Sequence, residues 1–495
     1  MNVLFVSAEV APYSSVGGLS QVSRLLPRAL LKEGINIRIF TPKYGTINDQ
    51  LFPTKTILEG LRVPTGEEGE IQPKELICNV KVLVKRKENE PIVYFLENME
   101  YYEKRANVYD YSDDHIRFGL LSRAALEFLR VSNFTPDVIH CNDWHTGYLI
   151  NYLKTSYKDD PKLKNISTLF SIHNLFQGIF DFDHCSELDF DDGKSRLASF
   201  FSERFLKQNA LKRGVIYADL VNAVSETYAR EIMTEEYGGR LANLFRELRD
   251  KISGVLNGLD YNEFNPLKDK IIKKNFGLTT LKNRIENKID LQREFGLKES
   301  IDTPIIAFSG RLGAQKGLSL LMNTLDFILT ELDVQFVVLG NGEDIYRNYF
   351  AELEKKYPGK VGTHLMANFT LPRKIFAGAD ILLMPSKYEP GGIVALEAMR
   401  YGCVPVARAT GGLADSIINY DSATGIGTGF TFKNFSEMSF LTALVRALEI
   451  YRNKKVWKKI VYQTMKQDFS WEHSAKEYIK LYKRAVEIGK KQTSL

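Results

Sequence analysis

The chain alternates short apolar runs with helical patterns, and this alternation occurs twice along its 495 residues. Most runs in the first half are apolar nearly throughout, which is typical of strands that are covered on both faces of a parallel sheet. Ile35–Thr41 alternates polar and apolar residues instead, which favours a place nearer the sheet edge. The strands predicted in the first half are Val3–Ser7, Ile35–Thr41, Val93–Glu97, Val138–Cys141, Thr168–Ile172 and Leu220–Val224, and the helices between them include Leu19–Lys32, Ile116–Val131 and Ser202–Arg213.

The alternation stops near residue 264, where Pro266 interrupts any regular element, and it restarts after Thr303-Pro304. Two α/β domains of the doubly wound, Rossmann-like type are therefore predicted. Ligands of such sheets bind beyond the carboxyl ends of the strands, so the cleft between two such domains is the expected site. The elements predicted in the second half are strands Ile305–Ser309, Val334–Leu339, Ile381–Met384 and Val404–Ala407, with helices that start at Gly317, Glu343 and Gly392.

Composition excludes several classes of protein. A net charge of +5 is small for this length and no long basic block occurs, so nucleic acid is not an expected partner. The four cysteines are far apart, which argues against a disulfide framework or a zinc site and favours a reducing compartment. No apolar run reaches the ~18 residues that a membrane span needs, and the N-terminus is not a signal peptide. A cytoplasmic protein without a membrane partner is expected.

Residues 380–399 carry the clearest chemical pattern. An apolar strand ends at Pro385, a turn carries Glu389, and Gly391 and Gly392 open a helix that carries Glu397. A strand that leads into a glycine-started helix presents free backbone amides and the positive end of a helix dipole to an anion. The nearby carboxylates suit sugar hydroxyls, so a nucleotide-sugar is the first ligand to consider. The alternatives are a glycosidase-like carboxylate pair, or a capping carboxylate together with a solvated helix glutamate.

A second cationic turn follows the first strand of the second half. Arg311 and Lys316 lie close together on a glycine-containing strand-to-helix turn. A planar guanidinium and an ammonium suit a diphosphate, and they would neutralise the charge that grows on a departing nucleoside diphosphate. The alternative is that Arg311 and Lys316 are ordinary solvated side chains of a loop.

Polar turns also follow strands of the first half. Gly17 and Gly18 permit close approach of the backbone to a ligand, although an ordinary turn would contain them too. His145 follows a buried strand and could donate or accept a hydrogen bond at a sugar; a capped helix start with a structural histidine is the alternative. His173 lies in a similar turn, and a structural role is favoured for it.

An ordered series of segments resembles the glycogen and starch synthases of glycosyltransferase family 5 nearly end to end. No single segment is decisive, but the series as a whole is very specific. The segments are Val16–Leu19, Asp137–His145, Ile172–Gly178, Ala223–Glu231, Gly254–Asp260, Arg311–Gly317, Glu389–Gly392, Thr410–Asp415 and Asp468–Trp471.

The resemblance implies a GT-B fold with an acceptor-side starch synthase catalytic domain over 1–263 and a nucleotide-sugar-binding domain over 264–474. A final helix near 475–495 would pack back onto the first domain. The implied reaction transfers glucose from ADP-glucose to the non-reducing end of an α-1,4-glucan such as glycogen with retention of configuration, without a metal or other cofactor. The implied catalytic residues are His145, Arg311, Lys316 and Glu389, and the implied nucleotide-sugar-binding residues are Gly17, Gly18, Asn257, Gly391, Gly392, Ile393 and Glu397.

The chain departs from the usual bacterial pattern at several positions. Ser15 replaces a basic residue, Gln21 replaces an aspartate, and Gly391 and Glu397 replace a cysteine and a tyrosine. Near Ala367, where bacterial enzymes often stack an aromatic ring on adenine, only Phe369 is close in sequence. These departures leave the identity of the donor open, with ADP-glucose as the first candidate and UDP-glucose as the second.

Three hypotheses follow. The first is an active α-1,4-glucan synthase. The second is another retaining GT-B enzyme with a different acceptor, which Glu397 motivates. The third is a non-catalytic glucan-binding relative, which Ser15 and Gln21 motivate. The oligomeric state is not predicted.

Overall fold

A computed structural model describes residues 1–66, 71–175 and 191–493. Phe176–Gly178 of the Ile172–Gly178 motif and Cys185 lie outside the described residues. The chain separates into two compact units. Unit 1 contains residues 1–224, 229–258 and 471–495, and unit 2 contains residues 225–228 and 259–470.

Unit 1 is built on one sheet in the order β3-β4-β5-β2-β1-β6-β7-β8-β9. All neighbours from β5 to β9 are parallel, whereas β3, β4 and β5 pair antiparallel. Numbered in chain order, its strands are β1 (Asn2–Val6), β2 (Asn36–Pro42), β3 (Thr54–Pro64), β4 (Glu75–Leu83), β5 (Ile92–Glu97), β6 (Val138–Asn142), β7 (Ser167–Ile172), β8 (Leu220–Ala223) and β9 (Ile252–Gly254). Its helices are α1 (Gly18–Lys32), α2 (Asp114–Val131), α3 (Gly147–Lys154), α4 (Glu203–Leu206), α5 (Ala210–Tyr217), α7 (Glu235–Gly238), α8 (Ala242–Glu247) and α17 (Trp471–Thr493), and α6 (Glu226–Glu231) includes residues of both units.

Unit 2 has a fully parallel sheet in the order β12-β11-β10-β13-β14-β15, which is the order of a dinucleotide-binding Rossmann sheet. Its core contains residues of the strands and of the helices that surround them. The strands are β10 (Ile305–Ser309), β11 (Gln335–Leu339), β12 (Val361–His364), β13 (Ile381–Met384), β14 (Val404–Arg408) and β15 (Phe430–Phe432). The helices are α9 (Arg284–Glu294), α10 (Leu318–Glu331), α11 (Asp344–Lys356), α12 (Leu371–Gly378), α13 (Ile393–Arg400), α14 (Gly411–Ser416), α15 (Glu437–Arg452) and α16 (Lys454–Lys466).

The predicted fold class, two doubly wound α/β domains, is confirmed. Two local predictions were wrong. The helix predicted over Ser202–Arg213 is two helices, because the Asn209 side chain accepts from the backbone N–H of Lys212 and starts a new helix there. The β2 strand lies inside the sheet, between β1 and β5, and not near its edge. Its polar Arg38 is accommodated there because it donates to the Tyr94 hydroxyl at 2.5 Å and lies over the Phe134 ring.

The C-terminal helix α17 packs against α1 and β7 of unit 1. Its buried tyrosines reach polar groups of the sheet: the Tyr482 hydroxyl lies 2.9 Å from His140 Nδ1, and Asn222 Nδ2 donates to the Tyr478 hydroxyl at 3.0 Å. Both bonds join side chains that are fully buried, so the helix supplies hydrogen-bond partners to polar side chains inside the sheet.

Candidate active site

The switch point of the unit 1 sheet lies between β1 and β6, where the strand order reverses. The turn that follows β1 is organised by the buried carboxylate of Glu9, which accepts from the backbone N–H of Val16 at 2.6 Å and of Gly17 at 3.2 Å. Burial raises the pKa of Glu9, and these hydrogen bonds oppose the rise. The Gly17 amide therefore has an internal acceptor, whereas Gly18 begins α1, where the first amides have no partner within the helix.

The turn that follows β6 holds Asp143 in an unusual conformation. Asp143 has a φ of 55°, which is uncommon for a residue other than glycine, and such strain points to a functional constraint. Its Oδ1 accepts from the His173 amide at 2.6 Å, whereas Oδ2 is buried without a hydrogen-bond partner among the described residues. Burial raises the pKa of Asp143 to about 7. Sequence reasoning did not select Asp143 or Glu9, although both follow the carboxyl ends of strands.

The two candidate histidines of unit 1 have different surroundings. His145 is buried among the rings of Tyr109, Phe118 and Trp144, with centroids 4.2–4.8 Å away. Burial lowers its pKa to about 3, so the imidazole is neutral at pH 7. His173 is only half-buried, and its Nε2 lies 3.0 Å from Asn142 Oδ1. Burial lowers the pKa of His173 to about 3 as well.

Asn257 lies in the segment that follows β9, at the same edge of the sheet. Its side chain is buried, and its Oδ1 has no hydrogen-bond partner within the ranges that the structure describes. The neighbouring Gly258 must be small, because a Cβ there would lie 2.6 Å from the Trp471 backbone. The packing of α17 therefore fixes the backbone beside Asn257.

In unit 2 the switch point lies between β10 and β13, and the two turns that sequence reasoning singled out follow these strands. Lys316 Nζ donates to Glu389 Oε2 at 2.7 Å, and the Ser386 hydroxyl donates to the same oxygen at 2.9 Å. The two turns also join through their backbones, since the Lys387 amide donates to the Gln315 carbonyl at 2.8 Å. The fold therefore brings Lys316 and Glu389, which are 73 positions apart, into one ion pair.

Arg311 lies on the exposed side of this arrangement. Its Nη2 donates to Gln315 Oε1 at 3.1 Å, and it makes no ion pair with the residues that the structure describes. Its charge is therefore available to an anion. Gly317 closes the turn with a φ of 70°, and a Cβ there would lie 1.9 Å from the Pro385 carbonyl oxygen, so the close approach of the two turns requires glycine.

Gly392 precedes the helix α13 with a φ of 63°, and Ile393 is the first residue of that helix. Gly391 and Ile393 are half-buried. The backbone amides of a first helical turn have no intrahelical acceptor, so this end of α13 can bind an anion. The helix start that the glycine pair predicted therefore lies directly after Glu389, and its use as an anion site stays a prediction.

These observations can be compared with known proteins. The family profile described as the starch synthase catalytic domain matches residues 2–247, and that of glycosyl transferases group 1 matches residues 292–464. Glycogen synthase of Clostridium perfringens is 38% identical over 98% of both chains. Glycogen synthase of Thermosipho melanesiensis is 40% identical over 98% of this chain and 99% of its own. The chain belongs to the glycogen and starch synthase family.

A solved structure agrees with this assignment to the glycogen and starch synthases. The catalytic domain of starch synthase IV from Arabidopsis thaliana, bound to ADP and acarbose, matches with a TM-score of 0.81 and 31% identity over 98% of this chain and 99% of that chain. Sucrose-phosphate synthase from Thermosynechococcus elongatus, at 17% identity and a TM-score of 0.58, shares the fold. The predicted GT-B fold and the predicted family are confirmed.

This member of the glycogen and starch synthases is a glycosyltransferase that elongates glucan, with a nucleotide-sugar donor and a glucan acceptor. The described part of the chain contains no helix long and apolar enough to cross a membrane. Within residues 1–66, 71–175 and 191–493 no cluster of three or more histidine, cysteine or carboxylate side chains could hold a metal ion.

The Thr410–Asp415 motif of this synthase supports Glu389 through its glycines. Gly411 has a φ of 46°, and a Cβ there would lie 2.2 Å from the Glu389 carbonyl oxygen. The Gly412 amide donates to the same carbonyl at 2.9 Å. The motif therefore fixes the backbone that carries Glu389.

We expect Gly411→Ala to lower both the melting temperature and the activity, because the added methyl group must push Glu389 away. Gly296→Ala is the matched control: Gly296 has a φ of 64°, but a Cβ there meets nothing within 4 Å. The control should lose only the left-handed strain of about 1–2 kcal/mol and keep its activity. Equal losses of activity in the two variants would contradict the role of Gly411.

Glu397 lies half-buried on α13, near Glu263 and Arg373. Burial raises its pKa from 4.5 to about 8, Glu263 adds to the rise, and Arg373 opposes it. Arg373 also forms an ion pair with Glu263 at 2.6 Å. At pH 7 the Glu397 carboxyl is therefore mostly protonated and can donate a hydrogen bond as well as accept one.

This raised pKa predicts a pH dependence of stability. Between pH 4.5 and about 8 the folded chain binds a proton at Glu397 that the unfolded chain releases, so the free energy of unfolding falls as pH rises. Glu397→Gln removes this pH-dependent contribution to the free energy of unfolding. The melting temperature of the variant, relative to that of the wild type, should therefore rise as pH increases through this window. Glu331→Gln at an exposed site reports the general effect of losing a carboxylate. A difference in melting temperature between Glu397→Gln and the wild type that stays constant with pH would contradict the prediction.

Proposed function

We propose that this enzyme transfers glucose from ADP-glucose to the non-reducing end of an α-1,4-glucan with retention of configuration. The observation that carries the proposal is the Lys316–Glu389 ion pair at the switch point of unit 2, beside the first turn of α13. A phosphate-binding cation, a sugar-binding carboxylate and free helix amides within one arrangement suit a nucleoside diphosphate sugar.

The candidate residues at the switch point of unit 2 have the following roles in this proposal. Arg311 and Lys316 bind the diphosphate and stabilise its charge as the bond between the anomeric carbon and the phosphate oxygen breaks. Glu389 accepts hydrogen bonds from hydroxyls of the transferred glucose. Gly391, Gly392 and Ile393 supply backbone donors at the start of α13. The acceptor hydroxyl oxygen bonds to the anomeric carbon on the face that the phosphate leaves, and its proton passes to the departing phosphate.

Unit 1 supplies polar groups to the sugars. Asp143 Oδ2 and Asn257 Oδ1, both buried without described partners, are proposed acceptors for sugar hydroxyls. His145 and His173 are both neutral at pH 7 and act as hydrogen-bonding groups rather than cations. Gly17 and Gly18 allow the close approach of a ligand at the end of β1.

We expect His145→Ala and His173→Ala to separate packing from sugar binding. Because His145 lies among three aromatic rings, its replacement should lower the melting temperature as well as kcat/KM. Because His173 is only half-buried, its replacement should lower kcat/KM with little change in melting temperature. Thermal unfolding and initial rates, measured on both variants, check this difference. If His173→Ala keeps the wild-type kcat/KM, then His173 does not belong to the sugar-binding site.

The donor is the finer part of the proposal. ADP is favoured because the starch synthase IV structure, similar over nearly the whole chain, is that of a protein bound to ADP. UDP-glucose is the second candidate, because Glu397 stands where many bacterial members have tyrosine.

We further propose a cytoplasmic location, since the described cysteines Cys78, Cys141 and Cys403 are free and buried.

A donor panel tests the proposed function. ADP-, UDP- and GDP-glucose are each supplied with glycogen, release of the nucleoside diphosphate is measured, and the product linkage is analysed. ADP-glucose should give the highest kcat/KM, with release only when glycogen or a maltooligosaccharide is present and with new α-1,4 bonds. Preference for UDP-glucose would overturn the donor assignment, and inert glucans beside an active small-sugar acceptor would overturn the proposed reaction.

A further inference from the structure

An ion pair lies fully buried in the first turn of α2, and neither of its residues has a role in the site assigned above. Arg117 Nη1 donates to Asp114 Oδ1, and neither side chain has any exposed surface. Arg117 Nη2 is also buried, and it has no hydrogen-bond partner within the described ranges. Burying two charges costs about as much free energy as their attraction returns, and an unpaired buried donor adds to that cost. Stability alone is therefore a poor explanation for this pair.

Two further hydrogen bonds of Arg117 end on the segment that precedes α2, which we call the α2 entry loop (residues 101–111). The Nε atom donates to the Tyr101 carbonyl at 2.8 Å, and Nη1 donates to the Val108 carbonyl at 2.9 Å. Tyr101 lies in a short π-helix, Met99–Glu103, and Val108 lies in the irregular stretch that follows it. One guanidinium therefore joins two parts of the loop, which suits its planar fork of donors.

Asp114 holds the same loop through its other carboxylate oxygen. Asp114 Oδ2 accepts from the backbone N–H of Asp110 at 3.0 Å and of Tyr111 at 3.4 Å. Asp110 has a φ of 73°, which is uncommon for a residue other than glycine and costs free energy. Such a conformation persists only where its surroundings fix it, and here the carboxylate of the ion pair does so.

The α2 entry loop carries Tyr109 between two residues that the ion pair holds. Val108 and Asp110, which flank Tyr109, are both hydrogen-bonded to the pair. The Tyr109 ring lies against the His145 imidazole, with centroids 4.8 Å apart and 30° between the ring planes. Burial lowers the pKa of His145, and the charge of Arg117 adds to this effect. The ion pair therefore acts on His145 through the Tyr109 ring and through its own charge.

We propose that Arg117 and Asp114 are positioning residues of the transfer reaction. By fixing the α2 entry loop, they hold the Tyr109 ring where it orients the His145 imidazole for the transferred sugar. The inference rests on the sugar-binding role proposed for His145 above. Because both charged side chains are fully buried, neither is exposed to a bound substrate, and both act through the loop.

Arg117→Lys tests this role in the whole chain. Lysine keeps the charge, but one ammonium cannot bind both loop carbonyls and the carboxylate with the fixed geometry of a guanidinium. The kcat for transfer to glycogen should fall by about 10-fold to 100-fold, because a misplacement of about 1 Å can cost about 100-fold. Rates are measured well below the melting temperature of each variant, so that unfolding does not contribute. The Kd for ADP, which is proposed to bind unit 2, should stay at the wild-type value.

A second variant and a matched control accompany this test. Asp114→Asn removes the partner charge and should lower kcat in the same direction, so the test does not depend on the folding of one variant. Arg213→Lys is the control, because Arg213 also has no exposed side-chain surface. Arg213 pairs with Asp191 at 2.7 Å and donates to the Ser195 carbonyl at 2.7 Å, and neither partner is a site residue. The control should lose stability but keep the wild-type kcat.

A double variant separates positioning from general packing. Tyr109→Ala removes the ring and should itself lower kcat. Adding Arg117→Lys should then lower kcat little further, because no ring is left for the ion pair to position.

Four results would overturn the proposal. They are wild-type kcat in both Arg117→Lys and Asp114→Asn, wild-type kcat in Tyr109→Ala, an equal loss of kcat in Arg213→Lys, or the same loss from Arg117→Lys with and without Tyr109. Failure of the proposed reaction looks different, because the wild type itself would then transfer no glucose to glycogen.

Discussion

Arg311→Ala and Lys316→Ala should each lower kcat by about 100-fold to 1,000-fold, the effect of removing a preorganised donor from a developing negative charge. Arg311 is exposed and bound only to Gln315, so its loss should leave the melting temperature unchanged. Lys316 pairs with Glu389 at 2.7 Å, so its loss also leaves a carboxylate beside the diphosphate without its cation. The measurement is the initial rate of nucleoside diphosphate release with glycogen as acceptor.

The same unit provides a matched control. Lys374 forms an ion pair with Glu294 at 2.6 Å, on helices that carry none of the proposed site residues. Lys374→Ala removes one lysine and one ion pair but should retain the wild-type rate. Lys316→Gln keeps most of the side-chain volume and should behave like Lys316→Ala. If both Arg311→Ala and Lys316→Ala turn over at the wild-type rate, the phosphate-stabilising role is wrong.

Glu389→Gln should lower kcat/KM for the donor by about 10-fold to 100-fold, the range expected for losing a hydrogen bond to a charged group. The carboxylate accepts from Lys316 and from the Ser386 hydroxyl, and an amide cannot match the charge of the first bond. The affinity for glycogen should change little, because Glu389 is assigned to the transferred glucose. Glu294→Gln is the control at the matched ion pair.

A donor series sharpens the test of Glu389. If its carboxylate accepts from a glucose hydroxyl, the loss in Glu389→Gln should shrink when the donor lacks that hydroxyl, because the interaction is then absent in both enzymes. Deoxyglucose nucleotides altered at one position at a time would identify the hydroxyl. A loss that is the same for every deoxy donor would mean that Glu389 acts only by holding Lys316.

Local sequence was sufficient for the central elements. The predicted runs Val138–Cys141 and Ile381–Met384 match β6 and β13 within one residue, because a short, mostly apolar run between polar turns is typical of a strand that is buried on both faces. The antiparallel strands β3 and β4 were not predicted. Much of β3 is exposed and its register is interrupted, so it carries little periodic signal.

The candidate site was predictable only in part. Glycine turns and charged residues at strand ends identified Arg311, Lys316 and Glu389, because phosphate and sugar chemistry needs those residue types there. Glu9 and Asp143 were not found, since a carboxylate among apolar residues looks like any other until its burial and its φ are known. The difference between His145 and His173 likewise depends on which ring the helix packing covers.

The sequence by itself determined the fold class, the family and the identity of the turns that carry charge, because these depend on local periodicity and on short ordered motifs. Only the tertiary structure decided which turns meet. Residues 73 positions apart form the Lys316–Glu389 pair because the strand order places β10 beside β13. Long-range pairing of strands is a property of the whole sheet, and no local pattern encodes it.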